Sequence, residues 1–173
     1  MAHGPAANLW GSSILRMQPM PAKTNEEALH RRLKDGKRFS KLTLLKKSSS
    51  PCREAPHGDT LETFSNMFSS RPYEITFETH EFTSLCPVTG QPDFGEIQIR
   101  YVPRRYCIES KSLKLYLHAF RNFNVFHEEA VNMILDAVVR KTAPAWAEVT
   151  GRFRPRGGVA ITVKAEHGRH ELK

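Results

Sequence analysis

The chain has 173 residues, of which 39% are hydrophobic, and a formal net charge of +8. This length suits one domain with a buried core. No run approaches the roughly 18 consecutive apolar residues of a membrane-spanning helix, so an integral helical membrane protein is excluded. The three cysteines, Cys52, Cys86 and Cys107, include no C-x-x-C pair. A disulfide framework and a thiolate zinc site are therefore not expected.

The positive charge is concentrated at the amino end. Residues 1–50 contain ten lysines and arginines against three acidic residues, whereas residues 51–173 contain sixteen against fifteen. A protein that binds nucleic acid with its folded body should carry the basic surface there. We therefore predict a basic, mobile extension over residues 1–40, and we do not expect nucleic acid to bind the body.

Apolar residues after Arg71 follow the periods of strands and helices. Alternation predicts strands over 74–82, 96–102, 146–153 and 158–164, and a 3.6-residue period predicts helices over 110–123 and 127–141. The order β-β-α-α-β-β predicts an α+β fold, with an antiparallel four-stranded sheet and both helices on one face. Such a sheet leaves two edge strands that must be paired or covered, so we expect an oligomer.

A loop predicted over residues 86–95 contains the first candidate reactive groups, Cys86 and Asp93. A lone cysteine is more often a small buried hydrophobe than a nucleophile, but this loop is polar and its prolines and glycines fix its shape. A thiolate beside a carboxylic acid can add to an electrophilic carbon while the acid delivers a proton. Cys107, among apolar residues, is interpreted as structural, and Cys52 as incidental.

Other polar residues allow two interpretations each. Lys111, Lys114 and Arg156 are either solvated or hold a polyanion such as the phosphates of a nucleotide. Glu128 either favours the start of a helix or accepts two N–H bonds from a guanine-like edge, and His127 is either a proton donor or a first-turn residue. No G-x-G-x-x-G follows a strand, so a Rossmann dinucleotide site is absent.

Four segments together resemble a known family. They are Glu109–Tyr116 (ESKSLKLY), Phe82–Phe94 (FTSLCPVTGQPDF), Phe126–Glu128 and Pro155–Gly158. Their order and spacing resemble those of the 7-cyano-7-deazaguanine reductases, the nitrile reductases of queuosine biosynthesis, in their short single-module form. The resemblance covers about residues 41–167. Two positions depart from the family pattern, Lys46 where a glycine is common and Ser65 where a proline is usual, and both lie in the amino-terminal arm.

The resemblance implies a tunnelling fold, in which sheets from several subunits join into a barrel with active sites at the interfaces. It implies an arm over residues 41–70, a catalytic core over 71–167 and a tail over 168–173. Cys86 would attack the nitrile carbon to give a thioimidate, with Asp93 as general acid/base, and two NADPH would complete the reduction to 7-aminomethyl-7-deazaguanine. We expect no metal in the site, and we expect the protein to be located in the cytoplasm.

The resemblance also assigns the binding residues. His127 would lie beside the reacting carbon. The residues expected to bind the substrate are Glu128, Glu109 and Ser110. The residues expected to bind the phosphates of NADPH are Lys111, Lys114, Arg156 and Gly157.

Two rival functions remain open on the sequence. A zinc-dependent hydrolase of the GTP cyclohydrolase type would use the same barrel and purine-anchoring glutamate, but it needs a Cys/His ligand set. A non-catalytic RNA-associated protein would act through the basic extension and bind RNA in a salt-dependent way.

Overall fold

A computed structural model describes residues 28–29, 31–32 and 55–170. The chain divides into two units, Met1–Gly36 and Lys37–Lys173. The four described residues of the first unit are helical. The remainder of the predicted extension, residues 41–54 of the predicted arm and the last three residues of the tail lie outside the described residues. No helix in the described part of the chain is long and apolar enough to span a membrane.

Four long antiparallel strands form the main sheet of the second unit. Their order across the sheet is β2-β3-β5-β6, with β2 at Ile75–Leu85, β3 at Pro92–Val102, β5 at Trp146–Arg156 and β6 at Val159–Gly168. Each of the four corresponds to a predicted strand and extends beyond it at one end. The predicted α+β fold with an antiparallel sheet is therefore confirmed, and β2 and β6 are the edge strands of this sheet.

The largest difference from the sequence prediction lies between β2 and β3. Residues 86–95 were predicted as one loop, but β3 begins at Pro92, so Asp93 lies in a strand. Proline is tolerated as the first residue of a strand because no ladder bond needs its missing N–H. The turn is further closed by Cys86, whose N–H donates to the Gln91 carbonyl at 2.9 Å.

A second, two-stranded sheet was not predicted. It pairs β1 (Thr63–Ser65) with β4 (Tyr106–Ile108) in antiparallel fashion. Three residues are too few to show an alternating pattern, so neither strand could be predicted from periodicity. Next to this pairing, the Glu109 N–H donates a hydrogen bond to the Glu62 carbonyl at 2.9 Å. The small sheet therefore sets the residue at which the next helix begins.

The two predicted helices are present with adjusted ends. Helix α1 covers Ser110–His118 and continues as a short 3-10 helix over Ala119–Asn122, and helix α2 covers His127–Thr142. The Glu109 carboxylate caps α1 by accepting from the N–H groups of its first turn. At the start of α2, Glu129 accepts from the Phe126 N–H at 3.1 Å.

One hydrophobic core joins both helices to one face of the sheet, as predicted. Alternate strand residues and the apolar stripes of α1 and α2 meet in it, among them Phe82, Ile97, Ile99, Val149, Phe153, Leu113, Tyr116, Phe120, Ala130, Ile134 and Val138. Leu117 and Met133 pack at its margin and are only partly buried.

The sheet face without helices is polar and carries ion pairs between neighbouring strands. Arg100 donates to both carboxylate oxygens of Glu74, at 2.8 and 3.0 Å. These hydrogen bonds lower the pKa of Glu74. On the next strand Glu148 pairs with Lys164 at 2.6 Å. This face is therefore not a second apolar core, and solvent or polar groups can occupy the space beside it.

Gly151 provides a test of how closely α2 packs on the sheet. A Cβ added at Gly151 would lie 2.7 Å from the Val131 side chain and 2.8 Å from the Phe153 ring. Both neighbours belong to the packed core, so we expect Gly151→Ala to destabilise the protein by about 1–3 kcal/mol. Denaturant unfolding monitored by circular dichroism measures this change. The exposed Thr162→Ala on β6 is the control, expected to change stability by less than about 0.5 kcal/mol.

Candidate active site

The turn between β2 and β3 presents Cys86 at one end of the sheet. Cys86 is the first residue after β2, and its side chain is partly exposed. Its carbonyl accepts from the Gly90 N–H at 2.8 Å. Gly90 has φ +66°, a left-handed conformation that glycine adopts without steric cost. The turn over residues 86–91, here named the nucleophile turn, therefore has a defined shape and leaves the sulfur accessible.

The nucleophile turn lowers the pKa of the Cys86 thiol to about 7. The largest cause is a hydrogen bond from the Thr89 hydroxyl to the sulfur, followed by the backbone N–H groups of Thr89 and Val88, with a smaller contribution from Arg156. Hydrogen bonds to the charged form of a group favour that form. The turn therefore favours the thiolate, which is the nucleophilic form of the cysteine side chain.

Asp93 lies on β3 with its side chain only 7% exposed, and it pairs with a cation. Its Oδ1 atom lies 2.9 Å from Arg156 Nε. The same oxygen lies 3.3 Å from Nε2 of His127. A carboxylate buried to this degree needs such a partner, because an isolated charge in the interior is costly.

Arg156 joins Asp93 to the nucleophile turn. Its Nη2 atom donates to the carbonyl oxygens of Gln91 and Pro92, at 3.0 Å each. The guanidinium therefore contacts the backbone on one side of the turn and the buried carboxylate on the other. The family resemblance assigned Arg156 to cofactor phosphates, and in the structure Arg156 contacts Asp93 and the backbone of the nucleophile turn.

His127 begins helix α2 and is held by an aromatic ring. Its imidazole stacks on Phe153 with ring centroids 4.0 Å apart and an interplanar angle of 21°. Its Nε2 atom, although close to Asp93, has no hydrogen bond of good geometry, and neither does the buried Oγ of Ser84. Ser84 is the cross-strand partner of Asp93. His127 Nε2 and Ser84 Oγ are thus two buried polar atoms without a hydrogen bond, and both belong to residues next to Asp93.

The predicted binding residues at the start of α1 lie outside this group of side chains. Glu109 is buried as the cap of α1, and Glu109 and Ser110 line a mainly apolar cavity of about 820 Å³. Ser110 and Lys114 line a second cavity of about 290 Å³ between α1 and β2. Lys111 follows on the same helix, and its N–H donates to Glu109 at 2.8 Å. Neither cavity is lined by Cys86, Asp93, His127 or Arg156.

Glu128 and Gly157 lie close in sequence to the catalytic group. The Glu128 side chain is exposed on the first turn of α2, next to His127. Gly157 has φ +55° in the turn between β5 and β6, next to Arg156. The chain therefore brings together Cys86, Asp93, His127 and Arg156, whereas the four α1 residues do not join them.

Exposed apolar side chains lie beside the catalytic residues. Of the five large exposed hydrophobic residues in the described part of the chain, four are within three positions of a catalytic residue: Val88, Phe94, Phe126 and Val159. Exposed apolar surface of this kind marks a ligand site or a subunit contact. Among the described residues, no group of three or more His, Cys, Asp or Glu side chains could hold a metal ion.

Sequence reasoning missed Thr89, Ser84 and Phe153. Thr89 lies three residues after Cys86 in a turn rich in proline and glycine, a spacing at which a hydroxyl can reach back to the sulfur. Ser84 follows the β2 alternation and faces the same side as Phe82. The stacking of Phe153 on His127 joins residues far apart in sequence, and no local pattern reports it.

The contribution of the Arg156–Asp93 ion pair to the free energy of unfolding can be measured by replacing one of its members. Arg156→Met leaves the buried carboxylate without its main partner, so we expect a loss of about 1–2 kcal/mol, reduced because Arg156 is partly exposed. Asp93→Asn in the same background should recover part of that loss, and a double-mutant cycle from urea unfolding measures the coupling. Arg154→Met, which removes an exposed arginine near the Phe94 ring, is the matched control. Additive effects of the two substitutions would contradict the pairing.

Comparison with known proteins gives a consistent group of relatives. A family model described as QueF-like protein matches residues 92–172. A protein of Syntrophus aciditrophicus named NADPH-dependent 7-cyano-7-deazaguanine reductase is 49% identical over 129 residues, covering 75% of this chain and 88% of the relative. A protein of the same name from Anaeromyxobacter sp. strain Fw109-5 is 55% identical over 108 residues, covering 62% and 88%.

A solved structure shares the fold. The apo form of an archaeosine synthase named QueF-Like superposes with a TM-score of 0.54 at 26% sequence identity, covering 58% of this chain and 98% of the other. That protein is named as a synthase and not as a reductase. The likeness therefore supports the architecture, whereas the sequence relatives at about 50% identity carry the reductase name.

Proposed function

The chain belongs to the family of NADPH-dependent 7-cyano-7-deazaguanine reductases, and we propose that it reduces the nitrile of 7-cyano-7-deazaguanine to 7-aminomethyl-7-deazaguanine in queuosine biosynthesis. The observation that carries this proposal is a partly exposed thiol in the turn that leads directly into the strand with the buried carboxyl group of Asp93. A nitrile carbon is an electrophile that a thiolate attacks while an acid protonates the nitrogen. The cytoplasm is the location that we expect.

We propose that Cys86 forms a covalent thioimidate. The Cys86 sulfur forms a bond to the nitrile carbon, one π bond of the C≡N group breaks, and the nitrogen takes a proton. We assign the transfer of that proton to Asp93 as general acid/base together with His127, whose Nε2 atom lies 3.3 Å from the Asp93 Oδ1 atom. When bound, two NADPH molecules in succession would supply the two hydrides of the reduction. Between the two hydrides the nitrogen lone pair forms a C=N bond as the C–S bond breaks, and Cys86 leaves as a thiolate.

The charges on α1 suit the phosphates of NADPH. Lys111 and Lys114 are three residues apart on one helix, so their side chains lie on the same side. The cavity beside Lys114 is also lined by His118 and Arg121. Cationic side chains of this kind hold phosphate groups through charge-assisted hydrogen bonds. Gly157, with no side chain in the β5–β6 turn, would allow a ligand to approach the backbone closely.

The substrate is proposed to bind between Glu128 and residues of a second subunit. The exposed Glu128 carboxylate has two acceptor oxygens for the N–H groups of a guanine-like edge. Glu109 and Ser110 line a cavity that the catalytic group does not share. A neighbouring copy could bring them to the Cys86 of this chain. The edge strands β2 and β6, together with the apolar residues beside the site, support such an assembly into a barrel.

The first experiment measures NADPH oxidation on addition of 7-cyano-7-deazaguanine, in the presence of a metal chelator. Wild type should consume two NADPH for each nitrile, and Cys86→Ala should consume none, because the thioimidate cannot form. Without NADPH, the wild-type protein should gain the full mass of the nitrile in intact mass spectrometry, since addition expels no leaving group. Cys107→Ala, which removes a buried thiol outside the catalytic group, is the matched control and should form the adduct.

Three results would count against this proposal. If the wild-type protein consumes no NADPH when the nitrile is added, its substrate is another compound. Turnover by Cys86→Ala equal to that of wild type excludes the covalent route. Activity that is lost in chelator and restored by zinc would favour the hydrolase rival.

The α1 lysines can be tested separately from the chemistry. Lys111→Gln and Lys114→Gln should each raise the KM for NADPH by about fivefold, the value of one lost phosphate contact of about 1 kcal/mol. The kcat at saturating NADPH should stay close to that of wild type. Lys141→Gln, at the far end of α2 and paired with the exposed Asp59, is the control. An unchanged KM in both α1 variants would place the phosphates elsewhere.

A further inference from the structure

Ser84 is a buried serine whose hydroxyl group has no partner in the structure. The residue is fully buried near the end of β2, and its Oγ atom makes no hydrogen bond. A buried polar group without a partner costs stability, and its presence in a folded protein needs a reason. An alanine would fill the same place without that cost. We therefore expect the hydroxyl to serve a later state of the site.

Two elements flank Ser84, and each of them carries a reactive residue. On one side, its cross-strand partner on β3 is Asp93. On the other side, residues 123–125 run parallel to the end of β2 and bond to both backbone groups of Leu85, at 3.0 Å each. This segment leads directly to His127 at the start of α2. Ser84 thus lies between the strand that carries the acid and the segment that positions the imidazole.

The Ser84 hydroxyl can reach the Asp93 carboxyl group by rotation of the two side chains. Opposite residues of antiparallel strands face the same side, with Cβ atoms about 4.5–5.5 Å apart. Both oxygen-bearing groups extend from these Cβ atoms, so an O–H···O bond of about 2.7 Å is within reach. The charged carboxylate has the Arg156 guanidinium as its partner at 2.9 Å. A neutral carboxylic acid instead has an O–H that needs an acceptor, and a guanidinium has none to offer.

We propose that Ser84 is a positioning residue for Asp93, whose hydroxyl oxygen accepts the O–H of the neutral acid until the nitrile nitrogen replaces it as the acceptor. The inference deepens the proposed function and rests on it for the reaction. As the Cys86 sulfur bonds to the nitrile carbon, one C≡N π pair moves to the nitrogen and takes the Asp93 proton. The carboxylate left behind pairs with Arg156, and the Ser84 hydroxyl keeps its own proton. No other reactant is needed for this step.

This role makes the effect of Ser84 depend on pH. The charged and titratable side chains that contact Asp93 are Arg156 from β5 and His127 from α2, and the nucleophile turn adds Cys86. All three remain when only Ser84 is replaced. Loss of an acceptor for the neutral acid leaves less of Asp93 protonated near neutrality. At low pH the carboxyl group is protonated in either case, so the effect should shrink as the pH falls.

The experiment compares two reactions of Cys86 in the full chain, for wild type and Ser84→Ala, with Cys86→Ala as the background. Addition of 7-cyano-7-deazaguanine without NADPH needs a thiolate and an acid, and intact mass spectrometry of quenched samples gives its rate. Alkylation by iodoacetamide needs only the thiolate, because iodide leaves without a proton. Ser84→Ala should form the nitrile adduct about tenfold more slowly near pH 7.5, the effect of one lost hydrogen bond, and less than about threefold more slowly near pH 5.5. Its alkylation rate should equal that of wild type.

Urea unfolding separates this role from a structural one. Ser84→Ala should unfold at a urea concentration no lower than wild type, because the hydroxyl that it removes has no partner. The matched control is Thr142→Val at the far end of α2, which removes a buried hydroxyl that donates to the Val138 carbonyl at 2.9 Å. The control should lower the urea midpoint and leave both reactions of Cys86 unchanged.

Several results would overturn the inference while the proposed function stands. They are an adduct rate equal to that of wild type, a deficit that is the same at every pH, and equal slowing of addition and alkylation. A Ser84→Ala protein that is less stable than wild type, or that does not fold, would overturn it as well. If wild type forms no adduct with the nitrile, the proposed substrate is rejected, and the role of Ser84 with it.

Discussion

The ion pair between the buried Asp93 and the partly exposed Arg156 is the interaction on which the candidate site depends. A carboxylate 7% exposed on a central strand cannot remain charged without a partner, and β5 supplies Arg156 from its last residue. The same guanidinium holds the carbonyl oxygens of Gln91 and Pro92. A single side chain thus compensates the buried charge and anchors the backbone of the turn that carries Cys86. Since the pair spans β3 and β5, the site can form only after the sheet has assembled.

This arrangement also explains why the reactive groups occupy one end of the sheet. Cys86 follows the last residue of β2, Asp93 is the second residue of β3, and Arg156 ends β5. Helix α2 begins at the same end, where His127 stacks on Phe153 of β5. Each group comes from the terminus of a rigid element, and the core behind them fixes their spacing. Helix α1 begins elsewhere, at the small β1–β4 sheet, which is why its lysines and Glu109 do not reach Cys86 within one chain.

Much of this fold could be predicted from the sequence, because alternation in segments such as Ile97 and Ile99 reports a half-buried strand directly. The strand start at Pro92 could not, since proline and glycine nearby are typical of a loop. Strands of three residues, such as Tyr106–Ile108, are too short for a period. Within the site, the sequence suggested Cys86 with Asp93 because both fall in one predicted loop. The contacts of Arg156 join residues 63 to 65 positions apart, and only the sheet register reveals them.

The strand register also indicates that the cationic side chains of the site serve two different functions. A guanidinium can donate in several directions, but Nε and Nη2 of Arg156 are directed at Asp93 and the turn. Holding a phosphate with the same N–H groups would require breaking the pair that compensates a buried charge. Lysine, a compact charge on a flexible chain, suits a phosphate without such geometry. Lys111 and Lys114 are therefore the better candidates for the cofactor, and Arg156 for the geometry of the acid and the thiol. We therefore expect the loss of Lys111 or Lys114 to weaken the binding of NADPH, and the loss of Arg156 to slow the chemical step.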